Sequence, residues 1–343
     1  MAKFKTSISG IIICLIIALL ATLINRIILV DLIGIALISL ILGMILNPIV
    51  SKYQSFNKGI DWTSKKLLKI GIIFAGISLS FSQVFEAGKY ALILMAFTLT
   101  TAFGVGYLCR KIFKINWKLS SLLSVSTAIC GGTAVATLGP VIEAENKDVA
   151  YALSATFLFD LITVIAFPWI GKLMMLSDTS YGLWVGTAVN DTSSVVAAGY
   201  AFSEAAGALA TIVKLTRTLF IVPVVIIFSW IYAKKQKQNN NNNNNNSQTK
   251  RKVEIGKIFP WFILGFLLFV GIRSSGLLPD SIVGNISDLS KFLMATSLAA
   301  IGLKTNIKEV SGVGIKPMIA GVIIDISVVI VALFAQGLIL SIF

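Results

Sequence analysis

Apolar runs of roughly 17 to 25 residues, about the length that spans a bilayer as helix, recur along the whole chain between short polar stretches. They fall near 8–25, 32–50, 67–82, 89–109, 118–142, 149–170, 182–200, 207–232, 258–272, 289–303 and 316–342. The pattern predicts an all-α polytopic membrane protein of about eleven transmembrane helices.

Composition agrees with the pattern. Of the 343 residues 56% are apolar and 13% charged, which no soluble core absorbs. A basic start, Met1 to Lys5, precedes the first run in the manner of a signal peptide. No small-x-small cleavage pattern follows, so the run reads as a retained helix. A net charge of +14 raises the question of nucleic acid, but the loops account for it. With a cytoplasmic N-terminus and strict alternation, the loops at 52–66, 110–117, 171–181, 233–257 and 304–315 are cytoplasmic. Of the 29 Lys and Arg, 22 then lie inside and 5 outside (Arg26, Lys89, Lys147, Arg273, Lys291), with Lys214 and Arg217 inside a helix. That asymmetry supports eleven crossings of a cell membrane, N-terminus in and C-terminus out.

The asparagine tract Asn239–Asn246 has nothing to bury and predicts a disordered cytoplasmic linker over 233–257, joining a helix group at 1–232 to one at 258–343 in one integrated domain. Cys14, Cys109 and Cys130 show no paired spacing, so neither a disulfide framework nor a zinc site is expected. With no histidine in the chain, any proton relay must use other groups. Residues 67–80 resemble 289–304, each followed by a short polar loop, a Lys (Lys89 or Lys316) and a long helix. An odd number of crossings separates the copies, as in the inverted-topology repeats of secondary transporters; the alternative is a chance likeness between two Gly- and Leu-rich helices.

Several segments carry candidate chemistry. Ser124–Pro140 has adjacent Gly131 and Gly132 in mid-span, where a membrane helix is most apt to break. A break would present free N–H groups near Cys130, Gly131, Gly132 and Thr133 to an anion. The alternative is a small-residue packing face without a break. Gly186–Gly199 holds five consecutive polar residues, Asn190, Asp191, Thr192, Ser193 and Ser194, which should line a cavity. Alternatively the segment is a re-entrant hairpin or a surface loop, which would upset the count of crossings. Lys214 and Arg217 share one helix face and need a counter-charge, with Asp191 the expected partner, unless they snorkel to an interface. Asp160 and Asp325 are isolated carboxylates in apolar helices, suited to carry a proton or sodium ion or to bond between helices. Asp160 is favoured for the ion, alongside Asp191.

These segments, Ser126-Thr-Ala-Ile-Cys-Gly-Gly-Thr-Ala, Gly139-Pro-Val-Ile, Val149-Ala-Tyr-Ala, Gly182 to Gly199 and Ala210 to Arg217, resemble the YeiH-type sulfate exporter family of bacterial membrane proteins. The resemblance implies a place beside sodium/proton antiporters and bile-acid symporters, with inverted repeats, discontinuous crossing helices, and core and panel parts. Two departures stand out: Asp160, where many relatives carry a neutral residue, and the asparagine-rich linker.

The expected function is alternating-access transport of a small anion, sulfate or an organosulfonate on the family's pattern. Cys130 to Thr133 would supply donors, Asn190 to Ser194 a polar wall, and Lys214 and Arg217 the counter-charge. A competing reading makes Asp160 and Asp191 a cation site in a sodium/proton antiporter. An enzyme is disfavoured because no GxSxG, HExxH or carboxylate-rich metal cluster appears, and a channel because no filter signature does. Neither a resident cofactor nor a metal is expected, only sodium or proton coupling; the partners are the anionic solute and the lipid bilayer. Homodimers are common for such folds, though no motif demands one.

Overall fold

The computed structural model describes residues 2–27, 35–240, 260–304 and 315–342. Every described element is helical. The helices are α1 (Ala2–Ile27), α2 (Ile35–Val50), α3 (Gln54–Trp62), α4 (Leu68–Ala75), α5 (Phe81–Phe113), α6 (Trp117–Val125), α7 (Gly132–Val141) and α8 (Asn146–Leu173). They continue as α9 (Asp178–Ala188), α10 (Thr192–Phe202), α11 (Glu204–Leu219), α12 (Ile221–Asn240), α13 (Phe262–Ser274), α14 (Asp280–Lys304) and α15 (Ile315–Ile342).

Among the described residues six helical stretches are long and apolar enough to cross a bilayer: Ile8–Asn25, Phe81–Phe113, Lys147–Leu173, Glu204–Lys235, Asp280–Lys304 and Lys316–Leu340. The outer faces of these helices carry bare leucine and isoleucine, such as Leu23, Ile112, Ile227 and Leu338. That is the surface a helix offers to lipid rather than to water. The fold is an all-α polytopic membrane protein.

Two of the intervals expected to cross turn back instead. At the foot of α6, Lys118 Nζ donates to Glu143 O beyond the end of α7 (2.6 Å), and Asn116 Nδ2 reaches Asp148 at the start of α8 (2.9 Å). A straight helix from 118 to 142 would hold those groups roughly 35 Å apart at 1.5 Å per residue. At the foot of α9, Ser203 Oγ donates to Asp178 Oδ1 (2.6 Å), and the Tyr181 and Phe202 rings stack with centroids 3.9 Å apart. Gly171 of α8 makes room for that stack, because a Cβ there would come within 2.3 Å of Tyr181. Hence α6–α7 and α9–α10 are re-entrant hairpins, not broken crossing helices.

The hairpins approach from opposite ends of α8. Residues of hairpin α6–α7 meet the first half of α8, with Gly139 beside Val149 and Gly131 beside Thr156. Those of α9–α10 meet its second half, where Phe167 stacks on Trp184 at 4.4 Å. This corrects the expected alternation. The turn around 142–147 lies at the same end as 110–117, whereas 171–181 lies at the other end. Lys147 and Lys172 thereby exchange sides, and the charge asymmetry keeps its size because one Lys replaces the other.

The remaining helices pack around this centre. α2 and α14 cross at Gly43 and Gly302, where a Cβ on either would fall within 2.4 Å of the other helix's backbone. The two copies of the repeat meet directly: α4 packs on α14, with Ser290 Oγ bonded to Gly71 O (2.7 Å). The long helices that follow them, α5 and α15, also pack together. One rod divides at Phe220 into α11 and α12, three residues before Pro223, whose ring cannot continue the hydrogen-bond ladder. Residues 233–240 of the expected linker continue α12, and 241–257 lie outside the described residues.

Candidate functional site

Each hairpin tip brings two helix ends to the middle of α8. A helix end leaves backbone groups without intrahelical partners, and at membrane depth water does not serve them. How each tip meets that demand defines the site.

The first arms end in bare carbonyls. In α6–α7 the arm widens into a π turn at Ser126–Cys130, with Gly131 N–H bonded to Ser126 O (2.9 Å). The exposed carbonyls of Thr127, Ala128 and Ile129 face α11. In the other hairpin Thr187 O and Val189 O do the same. Lys214 and Arg217, one turn apart on α11 and wholly buried, serve both sets. Lys214 Nζ donates to Ile129 O (2.8 Å) and Val189 O (3.0 Å). Arg217 Nε donates to Ala128 O (2.9 Å), Nη1 to Thr187 O and to Val189 O (3.3 Å), and Nη2 to Thr127 O. Helix C-termini carry partial negative charge, so two cations on carbonyls are electrostatically matched.

This arrangement corrects the expected partnership. Among the described residues neither Lys214 nor Arg217 forms an ion pair with Asp191, and neither snorkels to an interface. They tie the two tips together across α11.

The second arms begin differently. Asp191 is the N-cap of α10: its Oδ2 accepts from Ser193 N (2.8 Å) and from Ser193 Oγ. The start of α7 has no side-chain cap. Gly131 precedes it at φ 62°, ψ −128°, a conformation that side chains disfavour, and a Cβ there would meet Thr156 at 3.2 Å and Asp191 N at 3.3 Å. Among the described residues no loop or cap hydrogen bond has Gly132 or Thr133 N–H as donor. Thr133 is exposed, and Gly132, Asp191, Thr192 and Ser194 are partly exposed; Cys130, Gly131, Asn190 and Ser193 are buried.

Two further carboxylates close the site. Asp160 Oδ1 of α8 accepts from the backbone N–H of Asn190 (3.0 Å) and of Asp191 (3.2 Å). Asp325 Oδ1 of α15 accepts from Asn190 Nδ2 (2.9 Å) and Thr127 Oγ1 (2.5 Å). Ser126 and Thr156 share a hydrogen bond beside them. Asp325 ranked below Asp160 from sequence, and Thr127 and Thr156 drew no attention. The legible signal was a carboxylate and hydroxyls inside apolar helices, but no spacing links positions so far apart in the chain.

The chain matches the model of the family described as Conserved hypothetical protein 698 over residues 9–321. A UPF0324 membrane protein of Clostridium tetani is 56% identical over 330 residues, covering 95% of this chain and 96% of that one. UPF0324 membrane proteins of Streptococcus pneumoniae serotype 4 and Streptococcus agalactiae serotype V are 35% and 36% identical, each over at least 96% of both chains. Near-complete coverage by both the family and its members makes this chain a member of the Conserved hypothetical protein 698 family, the UPF0324 membrane proteins.

Proposed function

We propose that the protein is a secondary transporter of the bacterial inner membrane that moves a small anion, sulfate or an organosulfonate, by alternating access. The observation that carries the reading is the pair of hairpins: they enter from opposite ends and meet tip to tip halfway along α8. A solute at the tips can then be reached from either side by shifting one hairpin relative to its surroundings. The basic end, with Arg110, Lys111, Lys118, Lys234 and Lys235, is the cytoplasmic one under the positive-inside bias.

The anion pole is the start of α7. Its uncapped N–H groups carry the partial positive charge of a helix N-terminus, and Thr133 adds an exposed hydroxyl. Lys214 and Arg217 contribute at one remove, by holding the tips and neutralising the first arms. The polar wall expected from Asn190 to Ser194 divides in two. Thr192 and Ser194 are partly exposed, whereas Asn190 and Ser193 are buried and bond within the protein.

A second reading, sodium/proton exchange with no anion, draws support from Asp160 and Asp325 in the same centre. Counterflow into proteoliposomes separates the two. Saturable exchange of labelled sulfate or a sulfonate, with KM raised by Thr133→Val, supports the anion reading. Sodium or proton flux without movement of sulfate, sulfite or any sulfonate would replace it with the second.

A further inference from the structure

The acidic side of the centre lacks a charge and a donor at the same place. Five ionisable side chains from four elements face it: Asp160 of α8, Asp191 of hairpin α9–α10, Asp325 of α15, and Lys214 with Arg217 of α11. The Cys130 thiol of hairpin α6–α7 lies beside them. Three carboxylates against two cations leave one negative charge uncompensated, a costly state at membrane depth. Asp191 sits on the rim and is occupied by its own helix end, so the imbalance belongs to Asp160 and Asp325, which are 4% and 2% exposed.

Asn190 marks where the missing charge belongs. Its backbone N–H donates to Asp160 and its side-chain Nδ2 to Asp325, so the residue bridges the two carboxylates. Its Oδ1 is fully buried and has no hydrogen-bond partner. Rotating the amide would satisfy nothing, because Oδ1 would then face the Asp325 carboxylate oxygen. An acceptor-only corner made of two carboxylates and an amide oxygen asks for one positive, donor-like occupant.

We propose that Asp160, Asn190 and Asp325 form a binding site for one monovalent cation, a sodium ion or a proton, with Thr127 as an auxiliary oxygen. The occupant satisfies Asn190 Oδ1 and brings the centre to neutrality. Among the described residues no three His, Cys, Asp or Glu side chains converge as a divalent metal would need, which fits a single charge. The site adjoins Gly131 at the start of α7, where a Cβ would meet Asp191 N at 3.3 Å. Its role in coupling rests on the transporter reading: a neutralised centre admits an anion more readily than a negative one.

The test is thermal melting of the purified full chain in detergent, titrated with NaCl against choline chloride at matched ionic strength, together with proton uptake on acidification read by an indicator dye. A saturable, sodium-specific rise in the melting midpoint, weakened about tenfold or more by Asp325→Asn or Asn190→Ser, identifies sodium. Uptake of a proton by the wild type that Asp325→Asn removes, with sodium inert, identifies a proton. Equal responses to sodium and choline together with no proton uptake, or responses that both variants retain in full, overturn the site. If neither variant accumulates, the wild type decides alone: a sodium-specific shift supports the site, and equal melting in sodium and choline overturns it. Sulfate exchange without any cation effect would remove this site and spare the anion reading; cation binding without anion exchange would do the reverse.

Discussion

The two hairpins solve the same problem with different residues. Both bring a helix C-terminus and a helix N-terminus to the middle of the bilayer, and both hand the C-terminal carbonyls to Lys214 and Arg217. They part at the N-terminal arm. In α9–α10, Asp191 caps its own helix and Asn190 links Asp160 to Asp325, so the tip is acidic and internally bonded. In α6–α7, the Gly131–Gly132 pair turns the chain without any side chain to cap it, so the tip keeps free donors. One tip thus caps its own helix end and the other leaves its helix end open, and that difference assigns an acidic pole and an anion pole to one centre.

Removing the shared clamp is the hardest blow to both tips. Arg217→Leu leaves the carbonyls of Thr127, Ala128 and Thr187 bare at membrane depth, and the expected loss is about 3–5 kcal/mol, enough to prevent accumulation of folded protein. Arg217→Lys should recover part of this, since the charge returns without the fork. A variant Arg217→Leu that melts like the wild type and fails only in transport would remove the clamp and return Arg217 to the solute.

Next in size is the backbone of the open tip. Gly131→Ala forces a side chain into a left-handed conformation and should cost about 1–3 kcal/mol. Gly132→Ala, already helical and meeting only Leu153 at 3.3 Å, should cost far less. Equal melting of the two variants would show that the tip does not depend on its positive φ.

The capped tip is sharpened by Asp191. Loss of an N-cap in Asp191→Ala is expected to lower stability by about 1 kcal/mol, while Asp191→Ser, which also caps, should hold it. If Asp191→Ser melts normally yet abolishes exchange, Asp191 contacts the solute or its coupling ion as well as its own helix.

Smallest is Thr133→Val, at an exposed site with no cap to lose. Stability should move by less than about 0.5 kcal/mol, and KM for the anion should rise with little change in turnover. Unchanged KM would take the anion away from the start of α7.

Much of this was legible along the chain. Hydropathy marked the long apolar helices, because lipid demands apolar runs whose backbone bonds are internal, whereas the short polar α3, Gln54–Trp62, falls inside the expected loop 52–66. The polar residues 190–194, the glycine pair at 131 and 132, and the cations at 214 and 217 stood out for the same reason: each is expensive in lipid without a partner. Hydropathy does not tell a crossing from a hairpin, since both bury the same apolar length. That is why 118–142 and 182–200 read as crossings, and why Lys147 and Lys172 were assigned to the wrong ends.

Sequence alone therefore determined the solvent this protein folds in and the residues that cannot face it. Tertiary structure decided the partners. The sequence offers Lys214 a partner in Asp191 on the preceding segment, yet it binds Ile129 O and Val189 O. Asp325, far along the chain from Asn190, reaches it directly. Charge and hydropathy are properties of single residues and survive reading one at a time. A hydrogen bond between hairpin tips depends on where two turns place their helix ends, and only the packed chain fixes that.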